Sequence, residues 1–277
     1  MNAAQPPVII GMALVRNEDL YVERAIRNAV DFCDRLIIAD HCSTDGTLAI
    51  LTRLASEYPD KIELVRIQNP RESHFLVNGY ANSRAWGFAV DGDEIYDPEG
   101  LVQFRQELLA GKYDSTWQVF GNVVNCVSVD IPAGQATGHL APPCRSMTKL
   151  FNFNAIESWD GAVTHVFANG TIKFKPGFDA SMRLHLHEQI PWEEAKFRCL
   201  HLCFIPRSSL DNGQAMARRN VSESLHSGPV YWAKKLFYRL IGQPLPSEWK
   251  LAKYARGPLT TVDAAAFFPE LPPTPSA

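Results

Sequence analysis

Three carboxylates follow an apolar run near residue 90, and their spacing could hold a metal ion. The run Trp86–Val90 predicts a strand buried on both faces, and Asp91, Asp93 and Glu94 come directly after it, with one glycine between the first two. Ligands of open α/β sheets bind at the carboxyl ends of the strands. Oxygen ligands suit Mg²⁺ or Mn²⁺, and a phosphate-bearing substrate usually completes the coordination shell. The motif therefore predicts a divalent-cation site; the alternative is an acidic turn that caps a helix beginning near Asp97.

Polar side chains also follow two earlier predicted strands. Arg16, Asn17 and Glu18 follow the apolar run 8–15, and Asp40 ends the next apolar run. The carboxyl ends of parallel strands lie at one edge of a sheet, so three polar strand ends indicate one shared ligand. The alternative is three independent polar turns.

Strands and helices alternate through the first hundred residues. Apolar residues at helical spacing predict a helix after each of the first two strands, and residues 62–67 predict a third strand. Residues 71–84 resemble a helix that leads into the fourth strand. The alternation predicts an α/β fold with a Rossmann-like, mostly parallel sheet and helices on both of its faces.

The remainder of the chain is less regular. We predict one domain over residues 1–210, in which 1–100 form the regular half and 101–210 a less regular half with strand-like, valine- and aromatic-rich segments. Residues 211–257 predict a C-terminal helical extension. The Pro- and Ala-rich residues 258–277 predict a loose tail.

The composition is that of an ordinary globular protein. Of the 277 residues, 46% are hydrophobic and 21% are charged, and the net charge of −3 argues against a nucleic-acid partner. The six cysteines are scattered without a C-x-x-C pair, which predicts thiols in a reducing compartment. No apolar run approaches the ~20 residues of a membrane span, and no secretory signal opens the sequence. We expect a cytoplasmic protein with no transmembrane segment.

Three motifs together resemble the family 2 glycosyltransferases, which have the GT-A fold of the nucleotide-diphospho-sugar transferase superfamily. The matching segments are Val15–Glu18, Ile37–Thr47 and Trp86–Glu94, in the same order and at the same spacing as in the family. The resemblance covers roughly the first 100 residues. Segments 148–151 and 161–165 loosely resemble parts of the acceptor half in some relatives, so residues 101–210 are expected to be that half. Where the family often has Asp and Gly before its Ser-Thr-Asp-Gly-Thr run, this chain has His and Cys.

The resemblance implies transfer of a sugar from a nucleotide-diphosphate sugar to an acceptor hydroxyl, by inversion and with Mn²⁺ or Mg²⁺ as cofactor. A UDP-sugar is the expected donor, and a glycan or a lipid-linked glycan is the expected acceptor. The donor-binding residues it implies are Arg16, Asn17, Glu18, Asp40, Asn78 and Asp91. Asp91 and Asp93 are the implied metal ligands, with Asp40 accepting a hydrogen bond from the nucleobase.

An inverting transfer also needs a base that removes the acceptor proton. Asp160 is the favoured residue, and His165 and Glu157 are the alternatives in the same region. Asp160 precedes a glycine, so a plain turn is an equal interpretation.

A later histidine could complete the metal shell, since neutral imidazole is a suitable ligand for Mn²⁺. His201 is the first choice, and His185 and His187 compete with it. Alternation with leucine predicts that His185 and His187 lie on the same face of one strand. For any one of the three, an ordinary structural or surface histidine is the alternative.

Two further features have less specific interpretations. Arg145 and Lys149 could contact a diphosphate, although single basic residues are usually just solvated. Residues 230–241 predict a helix with both apolar and basic side chains, which suits peripheral contact with a membrane surface or packing within the protein or a dimer.

Two other functions compete with sugar transfer. A sugar nucleotidyltransferase also uses an α/β sheet and a metal, but it needs a glycine-rich phosphate loop where this chain has Arg16, Asn17 and Glu18. A non-catalytic relative that binds a nucleotide or a glycan is the second alternative, favoured by the altered turn at His41 and Cys42.

Overall fold

The first half of the chain alternates apolar strands with amphipathic helices. The computed structural model describes residues 6–146, 148–160, 171–211 and 248–271. The elements up to the central acidic motif are β1 (Val8–Val15), α1 (Val22–Val30), β2 (Arg35–Asp40), α2 (Thr47–Glu57), β3 (Ile62–Arg66) and β4 (Ala85–Val90). Two 3-10 helices, Pro70–Leu76 and Asn78–Tyr80, replace the single helix that we predicted for residues 71–84.

Among the described residues, the second half supplies ten further strands, most of them short, and two more helices. They are β5 (Glu94–Tyr96), α3 (Pro98–Leu109), β6 (Gln118–Phe120), β7 (Asn122–Asp130), β8 (Gln135–Leu140), β9 (Thr148–Asn152), β10 (Ile156–Asp160), β11 (Thr171–Phe174), β12 (Arg183–His185), β13 (Arg198–His201), α4 (Glu248–Tyr254) and β14 (Leu259–Asp263). Helix α3 begins after Asp97, whose side chain accepts a hydrogen bond from the Gly100 amide at 3.0 Å. The capping that we considered as an alternative therefore belongs to Asp97, outside the 91–94 motif.

A seven-stranded sheet has the order β12-β6-β9-β4-β1-β2-β3. β1 pairs in parallel with both β2 and β4, and β2 pairs in parallel with β3, whereas β9 is antiparallel to its neighbours. The predicted α/β class with a mostly parallel sheet is confirmed. The chain runs outward from β1 to β3 and then returns to place β4 on the other side of β1. This reversal leaves a crevice beyond the carboxyl ends of β1 and β4, where open α/β sheets bind ligands.

The two faces of this sheet are covered differently. Helices α1, α2 and α3 pack on one face, through a core that includes Ile26, Leu51 and Phe104. In the described part of the chain, the other face is covered by the 3-10 segments and the β10–β11 hairpin, with Phe153 and Trp159 in its core. Helices were predicted on both faces of the sheet. Within the described residues, α-helices cover one of the two faces.

A second sheet of five strands has the order β14-β8-β7-β13-β5. β5 follows the acidic motif directly and pairs antiparallel with β13, which pairs in parallel with β7. Because β5 is joined to β4 by only a few residues, this sheet begins beside the carboxyl end of β4. The acidic motif thus lies at the junction of the two sheets.

The C-terminal residues correct one prediction. Residues 258–277 were expected to be a loose tail, but β14 pairs antiparallel with β8 along its full length. Val262, Ala264 and Phe267 are buried in the core of the five-stranded sheet. The short apolar pattern within a Pro- and Ala-rich segment therefore belongs to the fold. Of the predicted helical extension 211–257, the structure shows α4, and the helix predicted for 230–241 lies outside the described residues.

All six cysteines are thiols, and five of them are buried. None of the described helices is long and apolar enough to cross a bilayer.

Candidate active site at the carboxyl ends of β1, β2 and β4

The loops after β1 and β2 are tied together by side-chain hydrogen bonds. Asn17 has a left-handed backbone with φ of 53°, which Asn tolerates better than most residues. Its amide donates to Ser43 Oγ at 3.0 Å, and its Oδ1 accepts from the Thr44 amide at 2.7 Å. The Glu18 amide donates to Thr47 Oγ1 at 2.7 Å. Asn17, which we expected to contact the donor, thus holds the second loop in place.

Glu18 packs directly against the glycine of the acidic motif. A Cβ added to Gly92 would overlap Glu18 Oε2 and would lie 3.1 Å from Glu18 Cδ. Only a residue without a side chain lets the carboxylate come this close to the backbone. The close approach confirms that the strand ends of β1 and β4 converge, as the parallel-sheet argument predicted.

Asp93 is the buried carboxylate at the centre of this cluster. It is only 3% exposed. Its main-chain oxygen accepts a hydrogen bond from the Leu202 amide at 2.8 Å, and its Oδ2 lies 3.7 Å from His201 Nε2. Pairing of β5 with β13 places His201 opposite Glu94 and so brings it to the motif. Of the three candidate histidines, His201 is the one that the fold brings to the acidic motif.

The His201 ring is oriented by a second set of contacts. Its Nδ1 lies 2.7 Å from Asn125 Oδ1, while Asn125 Nδ2 lies 3.0 Å from Cys144 Sγ. With the amide in this orientation, Nδ1 carries the proton and donates to Oδ1. The lone pair of Nε2 then faces the carboxylate of Asp93. Two electron-rich atoms at this distance favour a cation between or beside them.

The guanidinium group of Arg207 places a positive charge beside Asp93. Its Nη1 is hydrogen-bonded to Asp93 Oδ2 and lies 3.5 Å from Glu18 Oε1. Burial opposes the charged guanidinium, but the carboxylates of Asp93, Glu18 and Asp91 outweigh it and raise the pKa of Arg207 above its usual value. Sequence analysis missed this residue because a single arginine in a polar segment carries no local signal.

The segment that carries Arg207 is attached to the loops after β1 and β2. The Leu20 amide donates to the Arg207 carbonyl at 3.1 Å, and Ser208 Oγ donates to Asp45 Oδ2 at 2.6 Å. Burial would raise the pKa of Asp45, but hydrogen bonds from Ser208 and Thr47 outweigh it and lower that pKa. An ionised Asp45 therefore anchors the segment that holds Arg207.

Asp40 ends β2 inside the protein. It is fully buried, and both of its carboxylate oxygens accept from the Ser43 amide at 3.3 Å. Arg66, an exposed residue on β3, lies 3.8 Å from Asp40 Oδ2. Asp40 thus lies at the predicted edge of the sheet, where it supports the turn that follows.

The turn after Asp40 has residues of unusual size for its backbone. Cys42 has a left-handed φ of 52°, a conformation that glycine adopts at less cost. His41 Nε2 is hydrogen-bonded to the Gln68 carbonyl at 2.9 Å, and burial, with the charge of Arg16 second, lowers the pKa of His41. The neutral His41 ring and the Cys42 side chain therefore occupy the bulkier turn that the sequence predicts.

Several predicted site residues lie at the margin of this cluster or outside the described region. Arg16 is exposed, and Asn78 is half-buried in a 3-10 helix. The backbone of Asp160 ends β10, but its side chain and all of His165 lie outside the described residues. Glu157, the alternative base, forms an ion pair with Lys173 at 2.8 Å.

Of the two basic residues considered for the diphosphate, Arg145 is exposed and its amide donates to the Lys253 carbonyl at 3.1 Å. The Lys149 side chain is not described. His185 and His187 lie at the outer edge of the seven-stranded sheet, on elements other than those that form the acidic cluster. The prediction that both lie on one strand is wrong, because β12 ends at His185 and a 3-10 turn begins at Leu186.

Comparisons with known proteins give structural similarity over part of the chain. No family model matches the sequence, and no curated protein matches it. Residues 1–349 of S. aureus TarS, solved with UDP, match at 15% identity over 53% of this chain and 47% of that one, with a TM-score of 0.36. Glucosyl-3-phosphoglycerate synthase from Mycobacterium tuberculosis, solved with Mn²⁺, UDP and glucosyl-3-phosphoglycerate, matches at 20% identity over 41% of this chain and 43% of that one, with a TM-score of 0.30.

The same synthase solved with phosphoglyceric acid matches at 16% identity over 54% of this chain and 58% of that one, with a TM-score of 0.35. The chain thus spans about half the length of the solved structures it matches. At these identities and TM-scores we argue function from the residues of this chain alone.

Proposed function

We propose that this chain is a glycosyltransferase that moves a sugar from a nucleotide-diphosphate sugar to an acceptor hydroxyl. One observation carries the proposal: the buried Asp93 carboxylate lies beside His201 and Arg207, and Arg207 also contacts Glu18, at the carboxyl ends of β1 and β4. A buried charged cluster of this kind is costly for stability and is best explained by a ligand. The motifs that resemble family 2 glycosyltransferases supply the same strand ends.

The donor set of this cluster fits a divalent cation. Asp93 offers a carboxylate oxygen, and the tautomer of His201 turns a ring lone pair toward it. Asn125 hydrogen-bonds to the other ring nitrogen of His201, the kind of contact that orients metal-binding histidines. Oxygen ligands with one imidazole suit Mn²⁺, and Mg²⁺ is the alternative. We propose Asp93 and His201 as ligands, with Asp91 binding the same ion directly or through water.

The donor is proposed to lie along the three strand ends. Asp40 and the loop held by Asn17 form the proposed nucleobase end, and Arg16 and Asn78 are further proposed donor-binding residues. Glu18 and Asp91 lie on the ribose and diphosphate side. UDP-sugars are the proposed donors, as the resemblance of the three motifs implies.

Arg207 is proposed to serve the diphosphate. Its guanidinium is charged at every physiological pH and presents donors suited to phosphate oxygens. In the structure it forms ion pairs with both Asp93 and Glu18. If Asp93 held a divalent cation, the guanidinium of Arg207 would be free to bind the anionic diphosphate instead.

The chemistry needs charge stabilisation and a base. A bound divalent cation supplies compensation for the negative charge that builds on the leaving diphosphate. The sugar carbon passes through an oxocarbenium-like state, so Arg207 acts where charge develops, on the leaving group. For inversion, Asp160 is the proposed base and His165 the alternative. The acceptor is proposed to be a glycan, with a lipid-linked glycan at a membrane surface as the variant.

The test is calorimetric binding of Mn²⁺ and UDP, followed by hydrolysis of a panel of sugar nucleotides. We expect UDP to bind more tightly with Mn²⁺ than without it, and Asp93→Asn to abolish that difference while the circular dichroism spectrum is unchanged. Asp60→Asn, at an exposed position, is the control. The proposal fails if Asp93→Asn retains metal-dependent UDP binding, or if no sugar nucleotide is bound.

A non-catalytic nucleotide-binding protein is the second candidate. The observation that favours it is the guanidinium of Arg207, which pairs with the Asp93 oxygen that a metal ion would need. This candidate predicts UDP binding that is the same with and without Mn²⁺, and no hydrolysis of any donor.

A further inference from the structure

Three metal-binding side chains meet at the edge of the seven-stranded sheet. His185 ends β12, and His187 and Glu188 belong to the 3-10 turn that follows it. Glu188 Oε1 lies 3.7 Å from His185 Nδ1 and 3.8 Å from His187 Nε2, and one ligand atom from each residue lies within 4.8 Å of the others. Atoms with these separations leave room for one ion about 2.5 Å from each, and small side-chain shifts give zinc–ligand lengths of about 2.0–2.2 Å.

The two imidazole rings are held in place by packing. The His185 ring stacks on Phe120 with a centroid separation of 4.4 Å and an interplanar angle of 7°. The His187 side chain is only 6% exposed, and its Nδ1 has no hydrogen-bond partner among the described residues. A buried imidazole with so few polar contacts loses the hydrogen bonds that water would give it. A metal ion bound at Nε2, the nitrogen that faces Glu188, would give this buried ring a polar partner.

We propose that His185, His187 and Glu188 bind a divalent transition metal of the zinc class. Two imidazoles and one carboxylate are common zinc ligands, and three of them leave a fourth position for water. That position faces solvent, because the Glu188 side chain is 59% exposed and the His185 side chain 36%. The ion joins the last residue of β12 to the turn after it, and so fastens an edge strand of only three residues.

This site is separate from the proposed donor site. His201, the histidine nearest Asp93, lies on β13 in the five-stranded sheet, whereas β12 is the outermost strand of the seven-stranded sheet. The inference therefore stands on its own observations and goes beyond the proposed sugar transfer.

Zinc binding to the full chain tests the proposal by isothermal titration calorimetry. All proteins carry Asp93→Asn, so that the proposed donor site does not contribute. We expect the Asp93→Asn protein to bind one equivalent of Zn²⁺. Adding Glu188→Gln or His185→Ala should weaken the zinc affinity by at least about tenfold, since substituting even the hydrogen-bond partners of metal ligands changes metal affinity by 10- to 100-fold. The Glu188 side chain is 59% exposed, so Glu188→Gln removes no core packing, whereas His185→Ala also removes the stacking on Phe120.

Glu194→Gln, at an exposed acid a few residues along the chain, is the matched control and should leave the zinc affinity unchanged. The melting temperature gives a second readout: Zn²⁺ should raise it in the Asp93→Asn protein and should fail to do so after Glu188→Gln. The proposal is overturned if the Asp93→Asn protein binds no zinc, or if its zinc affinity survives both substitutions. Failure of the proposed function would show differently, as Mn²⁺-dependent UDP binding that persists in Asp93→Asn.

Discussion

A buried arginine contacts the carboxylate that a metal ion would need. Arg207 and Asp93 are both largely buried, and Glu18 adds a second negative charge beside them. Removing one partner of a buried ion pair leaves an uncompensated charge, which costs about 3–5 kcal/mol. The arginine therefore stabilises the unliganded site and competes with a cation for the same oxygen.

Arg207→Gln should strengthen Mn²⁺ binding in the absence of nucleotide. The guanidinium no longer competes for Asp93, and losing a charge-assisted hydrogen bond worth roughly 1.5–3 kcal/mol corresponds to a gain of about tenfold or more in affinity. UDP binding in the presence of Mn²⁺ should weaken. Calorimetry measures both, with Arg35→Gln, at a half-exposed position, as control. Weaker Mn²⁺ binding in the variant would contradict the competition.

Gly92→Ala should disturb the ligand site more than the fold. The new methyl group overlaps the Glu18 carboxylate, which is the end of a flexible side chain and can move, so we expect a loss of only about 1 kcal/mol in the free energy of unfolding. The displaced Glu18 no longer holds Arg207, and Mn²⁺-dependent UDP binding should fall by about tenfold.

The control is Gly79→Ala, because a Cβ at Gly79 meets no atom within 4 Å. Urea unfolding and UDP titration of both variants separate stability from binding. Equal UDP affinity in Gly92→Ala and the unsubstituted protein would show that Glu18 does not shape the site.

At the scale of elements, an ion cluster joins α3 to the segment that leads into β13. Glu107 accepts hydrogen bonds from Lys112 at 2.7 Å, Lys196 at 2.6 Å and Tyr113 at 2.8 Å. The hydrogen bonds from Lys112 and then Lys196 lower the pKa of Glu107 to about 2, from an ordinary value of 4.5. Because β13 carries His201, this cluster also helps to place the histidine that we propose as a metal ligand.

Glu107→Gln should reduce stability at pH 7, by at most about 1 kcal/mol since the ion pairs are partly exposed. A carboxylate whose pKa is lowered in the folded state stabilises the protein fully at pH values above 4.5, and this contribution to the free energy of unfolding is lost as the pH falls toward 2. The difference in the free energy of unfolding between Glu107→Gln and the unsubstituted protein should therefore shrink as the pH falls from 4.5 toward 2. Urea unfolding at pH 7 and at pH 3 measures it, with Glu193→Gln at an exposed position as control. A difference that does not change with pH would exclude this cause.

At the scale of the whole molecule, the C-terminal residues complete the second core. Phe267 is fully buried and stacks on Trp192 with ring centroids 5.7 Å apart. Asn28 in α1 donates to both the Tyr96 carbonyl at 2.7 Å and the Phe267 carbonyl at 2.9 Å. These contacts join the N-terminal helix, β5 and the C-terminal segment.

Phe267→Ala should lower the free energy of unfolding by about 3–5 kcal/mol, the cost of removing a buried aromatic ring. Leu271→Ala, at an exposed position four residues later, should cost less than about 0.5 kcal/mol. Urea unfolding of both variants tests whether the C-terminal segment is part of the core. If the segment were a loose tail, the two variants would have the same free energy of unfolding.

Much of the first half could be predicted from the sequence, because its order is encoded locally. Apolar runs such as Ile9–Val15 and the helical spacing of α1 each specify an element by periodicity alone. Parallel strands put their carboxyl ends at one edge, so the convergence of Glu18 with the acidic motif follows from the alternation. The hairpin and edge strands of the second half are short and irregular, so periodicity does not specify their partners.

The sequence by itself determined an α/β sheet with carboxylates at the ends of β1, β2 and β4. Only the tertiary structure decided what meets Asp93: His201 through the pairing of β5 with β13, and Arg207, which lies 114 residues further along the chain. It also decided that His185 and His187 belong to another edge of the molecule, and that β14 closes the second sheet. The physical reason is that strand partners and buried ion pairs depend on contacts between distant residues, which leave no periodic pattern in the local sequence.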